Sequence, residues 1–70
     1  MTYSKLDKTQ YLKVRRAELG LTQSEFARKL DVPMSTYVGY EKGYREMTVK
    51  FIESLLKENK ALKSSYFFGK

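Results

Sequence analysis

Residues 19–43 read LGLTQSEFARKLDVPMSTYVGYEKG, and this stretch decides the fold. Thr22 followed by Glu25 is a capping box, in which each side chain bonds the other residue's backbone N–H and a helix begins. Pro33 cannot continue that helix, because it lacks the backbone donor, but it suits the start of a new one. The stretch therefore predicts two short helices joined by a turn of about three residues, a helix-turn-helix.

Helical patterns flank this unit, and nowhere do apolar and polar residues alternate for long as they do in a strand. A first helix is predicted from about Lys5 or Asp7 to Leu19, with Ser4 and Asp7 as a capping pair and Gly20 as its end. The helix that starts near Pro33 should end at Gly43 for the same reason.

A further helix is predicted to begin at the capping residue Thr48. Its predicted apolar positions are Val49, Ile52, Leu55 and Leu56. A fifth, short helix would hold Leu62 and the aromatic residues 66–68, although these last two helices could form one long helix. The sequence thus predicts a single all-α domain over residues 1–70, with the helix-turn-helix at about 22–43.

Composition points to an anionic partner. The chain has 70 residues, 14 Lys and Arg against 8 Asp and Glu, and a net charge of +6. Nucleic acid and an anionic membrane surface are the usual partners of such a chain, although the charge could serve solubility alone. No helix combines a basic face with an unusually broad apolar one, so a peripheral membrane role is disfavoured.

Cysteine and histidine are both absent. Disulfides are therefore excluded, a zinc site is disfavoured, and a cytoplasmic setting is expected. The longest apolar runs are too short for a transmembrane span or a signal-peptide core. No carboxylate pair or glycine-rich loop has a catalytic spacing, so we expect no enzyme activity, no cofactor and no metal.

One charged residue lies in an apolar stripe. Leu12, Arg16 and Leu19 recur at i, i+4 and i+7, which places them on one helix face. A charge buried in this way must be paired. The sequence therefore predicts that Arg16 pairs with a carboxylate within the fold, with a direct phosphate contact as the alternative.

The pattern resembles the Cro/CI-type (xenobiotic response element-like) helix-turn-helix family, the group of phage repressors and small bacterial regulators. The resemblance rests on residues 20–23, 26–27, 29–30, Val32, 35–36 and 40–43, and the aromatic residues before Gly69 resemble the hydrophobic end of that domain. It implies a five-helix, lambda-repressor-like DNA-binding fold. It also implies that Glu41 is the partner of Arg16 in a structural ion pair.

Three positions depart from the usual pattern of that family. Asp31 takes the turn position usually held by glycine, and aspartate tolerates the left-handed region better than most residues. Pro33 replaces the usual Ser or Thr cap, and Gly39 replaces a side chain that is often long and polar. These departures bear on which DNA sequence is recognised.

Nine consecutive residues, 32–40, carry no charge in this basic chain. In a helix-turn-helix the start of the second helix touches base edges, where hydroxyls and methyls can contact several bases. The predicted base-contacting residues are Met34, Ser35, Thr36, Val38 and Gly39. Gly39 would either let the backbone approach closely or be tolerated at an exposed site, and Thr36 could instead support packing. Tyr37 and Tyr40 are predicted to be core residues.

Phosphate contacts are expected around that neutral helix, because phosphates position the protein while base edges give specificity. The predicted phosphate-contacting residues are Gln23, Arg28, Lys42, Tyr44 and Arg45, followed by Lys13 and Arg15. Any of these side chains could instead be solvated.

The sequence favours a sequence-specific regulator of transcription that binds double-stranded DNA, acting as a repressor on a pseudo-palindromic operator. A homodimer is expected, with Phe51 and the aromatic residues 66–68 as candidates for its interface or for the core. The alternative is an antitoxin or another protein-interaction module on the same fold, with the aromatic C-terminus gripping a protein partner.

Overall fold

The computed structural model describes residues 7–62, which form four helices and no strand. They are α1 (Lys8–Leu19), α2 (Gln23–Lys29), α3 (Met34–Lys42) and α4 (Val49–Glu58). The all-α prediction is confirmed over this range. The aromatic residues 66–68 of the predicted fifth helix lie outside the described residues.

The alternative of one long final helix is wrong. Asn59 caps α4 with extended backbone angles (φ −128°, ψ 99°), so the helix ends at Glu58. The Asn59 side chain is buried and donates to the Tyr11 hydroxyl over 3.1 Å. Beyond this cap, Leu62 packs into the core.

Local capping chemistry sets where the helices begin. The predicted capping box of α2 is confirmed, because the N–H of Glu25 donates to Thr22 Oγ1 and the N–H of Thr22 donates to Glu25 Oε1. A second capping box starts α1, where Asp7 pairs with Gln10, three residues later. Ser4, the other member of the predicted capping pair, lies outside the described residues. Thr48 caps α4 by accepting from the N–H of Phe51, as predicted.

The turn between α2 and α3 depends on two unusual residues. Asp31 takes left-handed backbone angles with φ 61°, as the glycine-like turn position requires. The next N–H, that of Val32, donates to the Ala27 carbonyl and closes the end of α2. Pro33 then stands before α3 with φ −60° and no side-chain cap, and Gly43 ends that helix with φ 83°.

A single core forms between the four helices. Phe26 of α2 meets Tyr37 of α3 edge-on, with ring centroids 5.6 Å apart. Tyr40 of α3 packs against Phe51 of α4 with centroids 4.3 Å apart. The two tyrosines are thus core residues, as predicted. The buried apolar residues are Tyr11, Leu12, Phe26, Ala27, Leu30, Tyr37, Tyr40, Phe51, Ile52, Leu55 and Leu62.

Helix α4 decides one open alternative and corrects one expectation. Phe51 is only 2% exposed, so of the two roles left open for it, dimer interface and core, the core is the one it takes. Val49, predicted to face inward, is 59% exposed. The buried stripe of α4 consists of Phe51, Ile52 and Leu55, and Val49 at the first helical position falls outside it.

Two arginines of α1 form ion pairs with carboxylates of different helices. Arg15 donates to both oxygens of Glu58 over 3.0 and 2.8 Å, which ties α1 to the end of α4. The guanidinium of Arg15, for which a phosphate contact is predicted, thus has a carboxylate partner within the fold. Arg16 donates to both oxygens of Glu41 over 3.1 and 3.2 Å, which ties α1 to α3.

The Arg16–Glu41 pair should contribute to the unfolding free energy of the domain. Glu41 is 4% exposed, so Arg16→Ala would leave a buried carboxylate without its cationic partner. We expect this variant to lose about 3 kcal/mol of unfolding free energy, as breaking buried pairs does. Chemical denaturation followed by circular dichroism measures this. Lys13→Ala is the control, since Lys13 is exposed on the same helix. Equal stability of the Arg16→Ala variant and the wild type would contradict a structural role.

Candidate nucleic-acid interface

Helix α3 has one buried face and one outward face. Tyr37, Tyr40 and Glu41 are buried, and they lie together at i, i+3 and i+4. The opposite face carries Ser35, Gly39 and Lys42, at i, i+4 and i+7. We call these three positions the outward stripe of α3.

The start of α3 projects from the body of the protein. Met34 is 49% exposed and Ser35 is also exposed, whereas Thr36 and Val38 are half-buried beside the outward stripe. The first five residues of the helix therefore offer a thioether, two hydroxyls and an aliphatic group to a ligand.

Gly39 neither leaves the backbone open to DNA nor lies at an exposed site, the two alternatives that the sequence offers. It is buried, and what covers it is the side chain of Arg45. A Cβ added at Gly39 would lie 2.8 Å from Cδ and 3.0 Å from Cγ of Arg45. The expectation of a direct base contact by Gly39 is thus corrected, because a side chain of the protein itself occupies that space. No local sequence pattern indicates this contact.

The carboxylate of Glu41 is the polar centre beneath α3. Besides Arg16, it accepts hydrogen bonds from the Tyr37 hydroxyl and from Nε2 of Gln23 over 2.9 Å. Three helices thereby donate to one side chain. Gln23 was predicted to bind phosphate, and its amide instead has a partner within the protein. Its bond to Glu41 could not be foreseen from spacing.

These partners fix the charge state of the cluster. Burial acts to raise the pKa of Glu41, but hydrogen bonds from Arg16, Tyr37 and Gln23 outweigh it and hold that pKa below its ordinary value. The hydrogen bond to Glu41 raises the pKa of Arg16. Burial, followed by the hydrogen bond to Glu41, raises the pKa of Tyr37. At neutral pH the cluster therefore holds a carboxylate, a guanidinium and a neutral phenol.

Comparison with protein families identifies this geometry. A family model described as Helix-turn-helix matches residues 12–59, more than half of the chain. The chain belongs to the Cro/CI-type helix-turn-helix family. It is therefore a DNA-binding helix-turn-helix regulator. No curated protein and no solved structure matches the chain significantly.

In this Cro/CI-type domain the remaining predicted phosphate-contacting residues lie at the surface. Arg28 is exposed in the last turn of α2, and Lys42 is exposed at the end of α3. Tyr44 is 81% exposed in the loop that follows, and Arg45 is exposed beside it. Within residues 7–62, no helix is long and apolar enough to cross a membrane.

The lowered pKa of Glu41 predicts how the stability of the fold depends on pH. Because folding lowers this pKa from 4.5, the folded Cro/CI-type domain gains stability above about pH 4.5 and loses it as pH falls through the lowered value. Glu41→Gln removes this group. We therefore expect the difference in unfolding free energy between wild type and variant to be largest at neutral pH and to shrink below pH 4.5.

Denaturant titrations at a series of pH values test this prediction. Asp7 and Glu25 also have lowered pKa values, because they accept hydrogen bonds at helix starts, so the Glu41→Gln variant should retain part of the acid sensitivity. A difference between wild type and variant that stays constant from neutral to acid pH would contradict the assignment to Glu41.

Proposed function

We propose that the protein is a transcriptional repressor that recognises a specific operator sequence in double-stranded DNA. The observation that supports this most is the exposed first turn of α3, where Met34 and Ser35 project while Tyr37, Tyr40 and Glu41 anchor the helix from behind. An anchored helix with a free outer face has the form required to enter the major groove.

Base recognition is proposed for the first half of α3. The hydroxyls of Ser35 and Thr36 can bond to base edges, and Met34 and Val38 can pack on thymine methyl groups. Ser35 is exposed and Val38 is half-buried, so Met34 and Ser35 would make the deepest contacts.

Phosphate contacts are proposed for groups at the edges of α3. Arg28 and Lys42 stand near its two ends, at the close of α2 and at its own last position, and Tyr44 follows in the loop. Cations and hydroxyls in such places can hold the two backbones of the groove and fix the register of α3. The Gln23 side chain could join them only through the amide atoms that its bond to Glu41 leaves free.

We further propose that two copies bind one operator. A single α3 offers few base contacts, so two copies would read two half-sites about one helical turn apart. The buried Phe51 does not provide the dimer surface, which leaves the aromatic residues 66–68 as candidates outside the described range. Occupancy of a promoter by this dimer would block transcription. The antitoxin alternative rested on the same aromatic residues, and no observation on residues 7–62 favours it.

Selection of bound duplexes from a random pool tests the proposal. We expect a recurring inverted repeat, and an affinity that falls steeply with salt because bound Lys and Arg release counterions from the phosphates. Arg28→Ala should weaken binding to all duplexes alike and reduce the salt slope by about one.

Lys57→Ala is the matched control, because it removes one exposed cation from α4, away from the helix-turn-helix. It should leave the salt slope of specific binding close to that of the wild type. A salt-dependent affinity without any preferred sequence would contradict the proposal and leave only nonspecific binding. Co-purification of an unrelated chain that prevents DNA binding would favour the antitoxin alternative.

A further inference from the structure

Arg45 lies on the face of α3 that the proposed function directs into DNA. Its Cγ, Cδ and Nε atoms all lie within 3.2 Å of the place where a Gly39 Cβ would be. Gly39 is the middle position of the outward stripe, between Ser35 and Lys42, and opposite the buried tyrosines. The arginine stem therefore crosses α3 at the centre of its outer surface.

The backbone holds Arg45 in this place. The carbonyl of Gly39 accepts from the N–H of Tyr44 over 2.8 Å and from the N–H of Arg45 over 3.3 Å. The loop after α3 is thus bonded to the same residue that the Arg45 side chain covers. Within residues 7–62 no carboxylate pairs with the Arg45 guanidinium, so its donors remain available to a ligand.

The rest of the outer surface lacks a comparable donor. Residues 32–40 contain no arginine, lysine, asparagine or glutamine, so α3 itself offers bases only hydroxyls, a thioether and aliphatic groups before Lys42. The planar guanidinium can make two parallel hydrogen bonds to O6 and N7 of guanine, which is the commonest specific contact in the major groove. A phosphate contact would instead be expected of a cation at the rim.

We propose that Arg45, seated across Gly39, reads a guanine in each half-site of the operator. Glycine inside a helix lowers helix stability relative to alanine. At this position it makes room for the arginine, which supplies from the loop a guanidinium donor that residues 34–40 lack. Arg45 is therefore a specificity-determining residue, in place of the phosphate contact expected from sequence. This inference rests on the proposed function.

Selection from a random duplex pool with the full chain and three variants tests the inference. The variants are Arg45→Ala, Gly39→Ala and the combination of both. We expect the wild-type consensus to hold one guanine per half-site whose preference falls roughly 5- to 150-fold in Arg45→Ala, the discrimination that one bidentate contact gives. The other positions of the consensus should keep their preferences.

The Gly39→Ala variant distinguishes base recognition by Arg45 from a general attraction between its positive charge and DNA. Its Cβ would displace the flexible Arg45 side chain while the net charge stays the same. The variant should fold and be at least as heat-stable as the wild type, because alanine favours helix. We expect Gly39→Ala to lose preference for the same guanine. The combined variant should show the same loss of guanine preference as Arg45→Ala alone.

Each other result overturns the inference. If Arg45→Ala weakens every duplex by one factor and leaves base preferences unchanged, Arg45 is a phosphate contact like Arg28. If Gly39→Ala keeps the guanine preference, the packing of the Arg45 side chain against Gly39 has no part in recognition. A wild-type pool without any consensus would contradict the proposed function itself, whereas a consensus that none of the variants alters would overturn this inference alone.

Discussion

The carboxylate of Glu41 joins α1, α2 and α3 and constrains how they pack. It is almost fully buried and accepts hydrogen bonds from Arg16 of α1, Gln23 of α2 and Tyr37 of α3. Leaving a buried charge without partners is costly, so this carboxylate stabilises the arrangement in which all three helices donate to it. Within residues 7–62, no buried side-chain polar atom lacks a hydrogen-bond partner. The orientation of α3, and with it the surface offered to DNA, follows from this cluster.

The same helix separates anchoring from recognition. Tyr37, Tyr40 and Glu41 hold its inner face, so the outward stripe takes no part in the hydrophobic core. The neutral stretch 32–40 gives that stripe few charged donors of its own. Charge comes instead from the neighbouring segments, from Arg28 before the turn and from the loop after Gly43. Arg45 is the one of these that reaches the centre of the stripe, because Gly39 leaves room for it.

Local chemistry made much of this fold predictable. The capping box of α2, the turn at Asp31 and the glycine ends depend on residues within three or four positions of each other, so a short stretch of sequence is enough to predict them. The Arg16–Glu41 pair was expected from two indications, a charge in an apolar stripe and the family resemblance. Contacts between distant residues were not foreseen. The Arg15–Glu58 pair spans 43 positions, and the Gln23–Glu41 and Arg45–Gly39 contacts depend on how the helices and the loop after α3 pack.

The crystal structure of the protein bound to its selected duplex tests the central claim most directly. The account predicts the first turn of α3 inside the major groove, with Met34 and Ser35 against base edges and the Arg45 guanidinium on a guanine. It also predicts that the Glu41 cluster keeps its three donor side chains in the complex. A structure in which another helix enters the groove, or in which the outward stripe of α3 faces solvent, would contradict it.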